Sequence, residues 1–302
     1  MNIAVMPETV ITRAFHGAGI NSSIGAMLME AGRLTPEAAE QVLRLQKESG
    51  LRFGEAAIQL GLVSEADIQR ALSRQFDYPY LLAGDDSVDE EIIAAFKPFS
   101  PTVERLRALR SQLMLRLFDQ EAGQASLRSL AIVSPDQGEG RSWLAANLAV
   151  VFSQLGERTL LIDADLRQPR QHKLFHLDNQ AGLSSVLAGR CDATNAVHRV
   201  PSLVGLSVMP AGAVPPNPQE LLGRPAFGTL LQQLRQQFDV VLIDTPAGQR
   251  SADAATIAAR AGAGAALAIG RKHFTATPRL HSLVETLRHA GTFVVGAVLN
   301  EF

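Results

Sequence analysis

The stretch Ser129–Ala146 constrains the fold of this chain more than any other. Leu130, Ala131, Ile132 and Val133 form a wholly apolar run, the composition of a buried strand. Gly138-Glu139-Gly140-Arg141-Ser142 follows as a glycine-rich turn, and Trp143 opens a helical pattern that continues to Phe152. Strand, glycine turn and helix, in that order, is the context a phosphate-binding loop requires. Backbone N–H groups in such a turn converge on phosphate oxygens, and the positive end of the helix faces the same point. This assigns Gly138, Glu139, Gly140, Arg141, Ser142 and Trp143 to a nucleotide. Arg141 stands where the usual pattern carries lysine. Trp143 has two readings, cover for a nucleotide edge or packing against the preceding strand.

Further strand-like runs lie at 159–164, 206–209, 239–244, 264–269 and 293–299, with helical patterns between most of them. The alternation predicts an α/β fold, a mostly parallel, doubly wound sheet whose ligands sit at the carboxyl ends of the strands. Two of these runs end in carboxylates: Thr159-Leu-Leu-Ile-Asp163-Ala-Asp165 and Phe238-Asp-Val-Val-Leu-Ile-Asp244. Phosphoryl chemistry needs hard oxygen ligands for magnesium, and Asp163, Asp165, Asp244 and the Ser142 hydroxyl supply them.

The 302 residues suffice for one large domain and one small one, and 46% hydrophobic content supplies a core. A net charge of -2 gives no electrostatic case for nucleic acid. The single cysteine, Cys191, excludes a disulfide framework or a cysteine metal site and fits a reducing cytosol. No apolar run approaches the roughly 18 residues of a membrane helix. Residues 1–21 lack the basic start and apolar block of a signal peptide and read as a flexible tail. His172 and His176 suggest one helix face but offer no third zinc ligand.

Residues 22–83 contain a tandem repeat. Gly25 realigns with Gly54, Gly32 with Gly61, Leu43 with Leu72 and Gln46 with Gln75. Thr35 and Ser64 are placed as helix N-caps, with Pro36 at a first helical position and Asp67 completing a capping box. Each copy predicts a short helix, a glycine turn and a longer helix. Residues 84–100 are acidic and turn-rich, then proline-bearing, and read as a linker. A helix is expected from Pro101–Thr102 to about Phe118, with Glu104, Arg107 and Arg110 along one face at three-residue spacing.

These stretches carry two resemblances. The repeat resembles the N-terminal domain of type II secretion and pilus ATPases, the MshEN type. That resemblance implies a cyclic di-GMP site at Gly25, Gln46, Arg52, Gly54 and Gln75, although Ser23 stands where the first motif carries arginine. A helical docking module that binds no nucleotide is the other reading.

The segment Ser134–Ser142 resembles the Walker A motif of bacterial tyrosine kinases, relatives of the MinD and ParA ATPases. Leu161–Pro169 resembles their Walker A′ motif and Val241–Pro246 their Walker B. Pro210–Leu222 matches another family stretch, and Glu104-x-x-Arg107-x-x-Arg110 the motif through which these kinases interlock in a ring. With the repeat in front, the layout is similar to the EpsG group, kinase-like partners of membrane-bound chain-length determinants in exopolysaccharide biosynthesis. The resemblance implies that Arg141 contacts phosphates and that Asp163 is the base near the acceptor hydroxyl. It implies magnesium on Ser142, Asp165 and Asp244. It also implies ATP as substrate and a cytoplasmic protein recruited to the inner membrane by its partner. Two departures bear on catalysis. Arginine replaces lysine at 141, and the family's C-terminal tyrosine cluster has no counterpart, so Tyr78, Tyr80 or a partner is left as acceptor. Rival readings are a non-catalytic ATP switch and a MinD/ParA-like localisation ATPase. The latter is disfavoured by Asp136, which stands at that group's signature lysine.

Overall fold

Caps and glycines lay out the first unit. Ser23 Oγ accepts the Ala26 N–H at the start of α1 (Ile24–Glu30), and Thr35 Oγ1 accepts the Ala38 N–H at the start of α2 (Pro36–Ser49). The second copy repeats the pattern with α3 (Phe53–Gln59) and α4 (Glu65–Gln75). Ser64 Oγ accepts the Asp67 N–H while Asp67 Oδ2 accepts the Ser64 N–H, the reciprocal capping box. Gly32 and Gly61 end the short helices at φ of 66° and 68°, a left-handed turn that a side chain would strain. Gly25 and Gly54 act through contact instead. A Cβ on Gly25 would lie 2.9 Å from the Phe53 ring, and one on Gly54 3.1 Å from Ile68 Cγ2. Their bareness lets the helices close over Leu28, Val42, Ala56 and Ala57.

The computed structural model describes residues 23–75, 80–82, 84–118, 129–248, 252–260 and 264–301. Contacts divide the chain into Met1–Tyr78 and Pro79–Phe302. Residues 84–100, expected to be a linker, therefore belong to the second unit. Val88, Ile92, Ala94 and Ala95 are buried in its core, and α5 (Ile93–Phe96) lies among them. The acidic and proline-bearing flanks gave the linker signal; the short apolar run between them carries the packing.

The second unit continues with α6 (Pro101–Leu113), which passes into a π-helical turn at Met114–Phe118, then β1 (Ser129–Val133), α7 (Arg141–Ser153) and β2 (Thr159–Asp163). After these come α8 (Gln171–Leu174), α9 (Leu183–Leu187), α10 (Ala193–Ala196), β3 (His198–Arg199) and β4 (Leu206–Met209). The remainder is α11 (Pro218–Gly223), α12 (Pro225–Gln237), β5 (Val240–Asp244), α13 (Asp253–Arg260), β6 (Ala265–Arg271), α14 (Thr277–His289) and β7 (Phe293–Asn300). The sheet runs β3-β4-β2-β5-β1-β6-β7, parallel except for the β3–β4 pair. All six predicted strands are present. The two-residue β3 went unread because it is too short to show a period.

The chain moves from β1 to β2 on one side and later places β6 on the other, so the crevice at the carboxyl end of β1 is a topological switch point. Helix α7 is apolar on every face and buried from Leu144 to Ser153. Its one deeply buried amide, Asn147, holds the preceding segment. Asn147 Oδ1 accepts the Ala94 N–H at 2.9 Å, and Nδ2 donates to the Glu91 carbonyl at 3.1 Å. Among the described residues no helix is long and apolar enough to cross a membrane.

Candidate nucleotide and magnesium site

The loop between β1 and α7 is shaped by two left-handed glycines, Gly138 at φ 81° and Gly140 at φ 92°. The second is the N-cap of α7, where the helix offers its unpaired N–H groups. Glu139 is fully buried. Its carboxylate accepts the Asp136 N–H at 2.6 Å and the Thr275 hydroxyl, while Asn300 Nδ2 donates to its carbonyl at 3.2 Å. The side chain thus braces the loop from within, and any role of Glu139 toward a nucleotide is left to its backbone. Arg279 pairs with both Asp136 carboxylate oxygens from α14, at 3.0 and 3.2 Å.

Arg141 is buried and spans from the loop to the end of β5. Its Nε donates to the Thr245 carbonyl at 2.8 Å, and Nη1 donates to the Asp136 carbonyl at 2.7 Å and to the Ser134 hydroxyl. Trp143 is half-buried and packs against the core.

Asp163 and Asp244 face each other in register at the ends of β2 and β5, and both are fully buried. Asp163 Oδ2 accepts the N–H groups of Arg170 and Gln171 at 2.9 Å each, and Oδ1 accepts that of Asp165 at 3.2 Å. Burial, reinforced by the Asp244 charge, pushes the Asp163 carboxyl well above the usual range. Burial also pushes Asp244 up to about 6, against the opposing influence of the Arg141 charge, of the Gln171 amide that donates to it, and of the nearby Ser142 hydroxyl. Asp165 is turned into its own loop, where Oδ1 accepts from the Arg167 and Gln168 N–H groups at 3.1 and 2.9 Å.

The three aspartates do not form one cage. Among the described residues, no three His, Cys, Asp or Glu side chains gather as a metal site. Magnesium does not need such a cage, since it is commonly held by one or two carboxylates with water and substrate phosphates. Among the described residues Asp244 Oδ1 is buried without a hydrogen-bond partner, near Ser142 in the first turn of α7. That orphaned oxygen and the Ser142 hydroxyl fit a hard cation.

One residue of this site escaped the sequence reading. Gln171, fully buried, donates from Nε2 to Asp244 Oδ2 at 2.7 Å and to the Ser142 carbonyl at 3.1 Å. An uncharged amide eight residues beyond Asp163 carries no chemical signature; only the fold brings it there. Of the α6 charges, Glu104 and Arg107 pair at 2.9 Å, whereas Arg110 turns inward and donates to the Val151 carbonyl at 2.7 Å. The structure does not bring those three together as one outward face. In the first unit Arg52 is exposed and Gln46 half-buried. Gln75 ends α4 with its side chain outside the described residues, as is Tyr78. His176 lies beyond α8 at φ 48°, so it does not share a helix face with His172.

A glycine loop at the switch point of a parallel sheet, flanked by two carboxylate-ended strands, defines a P-loop nucleotide-binding protein of the MinD type. Comparison with known proteins narrows the class. The family profile described as cellulose biosynthesis protein BcsQ matches residues 127–295. The EpsB protein of Ralstonia solanacearum is 37% identical over 211 residues, covering 69% of this chain but only 27% of EpsB. The tyrosine-protein kinase YwqD of Bacillus subtilis is 38% identical over 167 residues, covering 55% of this chain and 68% of YwqD. The kinase domain of the Escherichia coli tyrosine kinase ETK aligns with a TM-score of 0.64 at 31% identity, covering 70% of this chain and 79% of that domain. The chain belongs to the bacterial tyrosine-kinase family.

Proposed function

We propose that this chain binds ATP with magnesium and transfers the γ-phosphoryl group to a tyrosine hydroxyl, as a regulator of exopolysaccharide chain length. The observation that carries the reading is the buried pair Asp163 and Asp244, in register beside the glycine loop. When bound, magnesium neutralises charge developing on the phosphates. Asp244 and Ser142 would hold it, with Asp165 acting through water. Asp163 takes the proton. The tyrosine O–H bond breaks as its oxygen bonds the γ-phosphorus, the bond from that phosphorus to the β,γ-bridging oxygen breaks, and ADP departs. The raised proton affinity of Asp163 favours that transfer. The Tyr80 hydroxyl is buried in the second unit, which favours an acceptor on a partner.

The partner we infer is a membrane-bound chain-length determinant that recruits this chain to the inner membrane, with Glu104 and Arg107 contributing to a ring of copies. For the first unit we infer an MshEN-like module; the repeated caps and contact glycines support that shape. Cyclic di-GMP is its proposed ligand, and calorimetry that shows no heat at millimolar nucleotide would leave a docking module. A second reading of the whole, an ATP-dependent switch without turnover, is favoured by the anchoring of Arg141 to Thr245, Ser134 and Asp136. Such a fork is less free than a lysine ammonium to follow a moving phosphoryl group.

Labelled ATP decides between them. The full chain, magnesium and the cytoplasmic part of a chain-length determinant should yield phosphotyrosine, and Asp163→Asn should abolish it. Neither phosphotyrosine nor released phosphate would leave the switch.

A further inference from the structure

Gln171 is held in one orientation. Its backbone N–H donates to Asp163 Oδ2, and its Nε2 donates to Asp244 Oδ2 and to the Ser142 carbonyl. Both partners of Nε2 are acceptors, so the NH2 end of the amide must face them and the oxygen must point elsewhere. A single side chain thereby ties the end of β5 to the first turn of α7, and its backbone ties both to the end of β2.

The other end of the amide is in deficit. Gln171 Oε1 is buried with no hydrogen-bond partner among the described residues, and so is Asp244 Oδ1. Buried acceptors left without donors are destabilising, and a single explanation covers the two on this bonded pair of side chains. A hydrated divalent cation supplies it. Magnesium gives up its water reluctantly, and its bound waters are strong donors.

We propose that Gln171 is a positioning residue for magnesium: Nε2 fixes Asp244 toward the ion, and Oε1 accepts from a metal-bound water. This deepens, and rests on, the nucleotide–magnesium reading above. It assigns to the segment after the Walker A′ motif a metal-site role that its sequence does not advertise. A water trapped independently of the metal would satisfy the same two oxygens, and it makes the opposite forecast, no coupling to magnesium.

Two full-chain variants separate these cases. Gln171→Met keeps length and burial but removes donor and acceptor. Gln171→Glu keeps an acceptor and sets a second carboxylate against Asp244. Each is followed by thermal melting in EDTA and in magnesium, and by binding of a fluorescent ADP analogue as magnesium is titrated. In the methionine variant the magnesium half-saturation point should rise about 10- to 100-fold, the usual effect of losing a partner of a metal ligand. Analogue binding in EDTA should be retained. The glutamate variant should melt lower than wild type in EDTA and gain more than wild type from magnesium. A residue that merely packs would lower both melting curves without changing the magnesium-induced shift, and that outcome, in either variant, overturns the proposal. Should the methionine variant fail to fold, the glutamate variant alone decides, because magnesium must rescue it. Wild-type protein that bound neither nucleotide nor magnesium would overturn the site reading as well; failure confined to the variants overturns only the role of Gln171.

Discussion

Replacing Arg141 by alanine removes three hydrogen bonds and a buried charge at once. The bonds go to the Thr245 carbonyl, the Asp136 carbonyl and the Ser134 hydroxyl. A hydrogen bond from a charged donor is worth about 1.5–3 kcal/mol, and less where water can replace the donor. Thr245 is fully buried, so its bond counts in full; Asp136 is half-exposed and counts for a fraction. The loss should be about 2–4 kcal/mol. In a unit of this size each kcal/mol moves the melting temperature by about 2–4 °C, so ligand-free Arg141→Ala should melt roughly 5–15 °C below wild type. The electrostatic effect is separable. The Arg141 charge is the largest influence opposing burial at Asp244, whose carboxyl already lies at about 6. Without it Asp244 holds its proton to higher pH, and magnesium, which needs the carboxylate, binds less tightly near neutrality. Melting by circular dichroism and magnesium-dependent ADP binding from about pH 5 to 8.5 read the two effects independently. The acid limb of magnesium binding should move to higher pH in Arg141→Ala and stay near wild type in Arg141→Lys. The lysine variant keeps the charge and loses the fork, so it should melt between the other two. An alanine variant that melts within about 2 °C of wild type, or an unmoved acid limb, would refute the reasoning.

Asp244 has a folded pKa raised above its unfolded value, so its stabilising contribution is complete below about pH 4 and is lost as pH rises through about 6. Asp244→Asn should therefore raise the melting temperature in EDTA at neutral pH while erasing the magnesium dependence; a lower melting point there counts against the sign. Arg167 Nε pairs at 2.7 Å with Asp253, whose side chain is wholly buried. Arg167→Ala should cost about 2 kcal/mol in urea unfolding, below the roughly 3–5 kcal/mol of a fully buried pair because Arg167 is 41% exposed. Adding Asp253→Asn should recover part of that loss, and no recovery would exclude the weakened neutralisation of the buried Asp253 carboxylate as its cause.

Much of the second unit was readable because parallel strands covered on both faces are written as unbroken apolar runs. The same runs announce their carboxyl ends when an aspartate closes them, which is how Asp163 and Asp244 stood out. What stayed hidden depends on chain folding back on itself. Glu139 looked like a loop residue open to a ligand, yet Thr275 and the Asp136 backbone draw its carboxylate inward. Arg110 follows the spacing of Glu104 and Arg107, but the helix carries it over α7, where the Val151 carbonyl takes it. Gln171 has no charge to betray it, and its importance arises from the two aspartates it lies between.

The amide of Asn147 also decides where this protein can be cut. Its bonds to Ala94 and Glu91, with that of Gln154 to the Ala94 carbonyl, sew residues 84–100 onto α7. A chain shortened to begin at Pro101, the natural choice from the sequence, would take the Ala94 N–H away from Asn147 Oδ1 and strip Val88, Ile92, Ala94 and Ala95 from the core they share with the helix that begins at the phosphate loop. The compact unit that holds these contacts begins at Pro79. What reads as a hinge between two parts is a seam within one of them, and a graft made at that seam would carry the nucleotide site away without its backing.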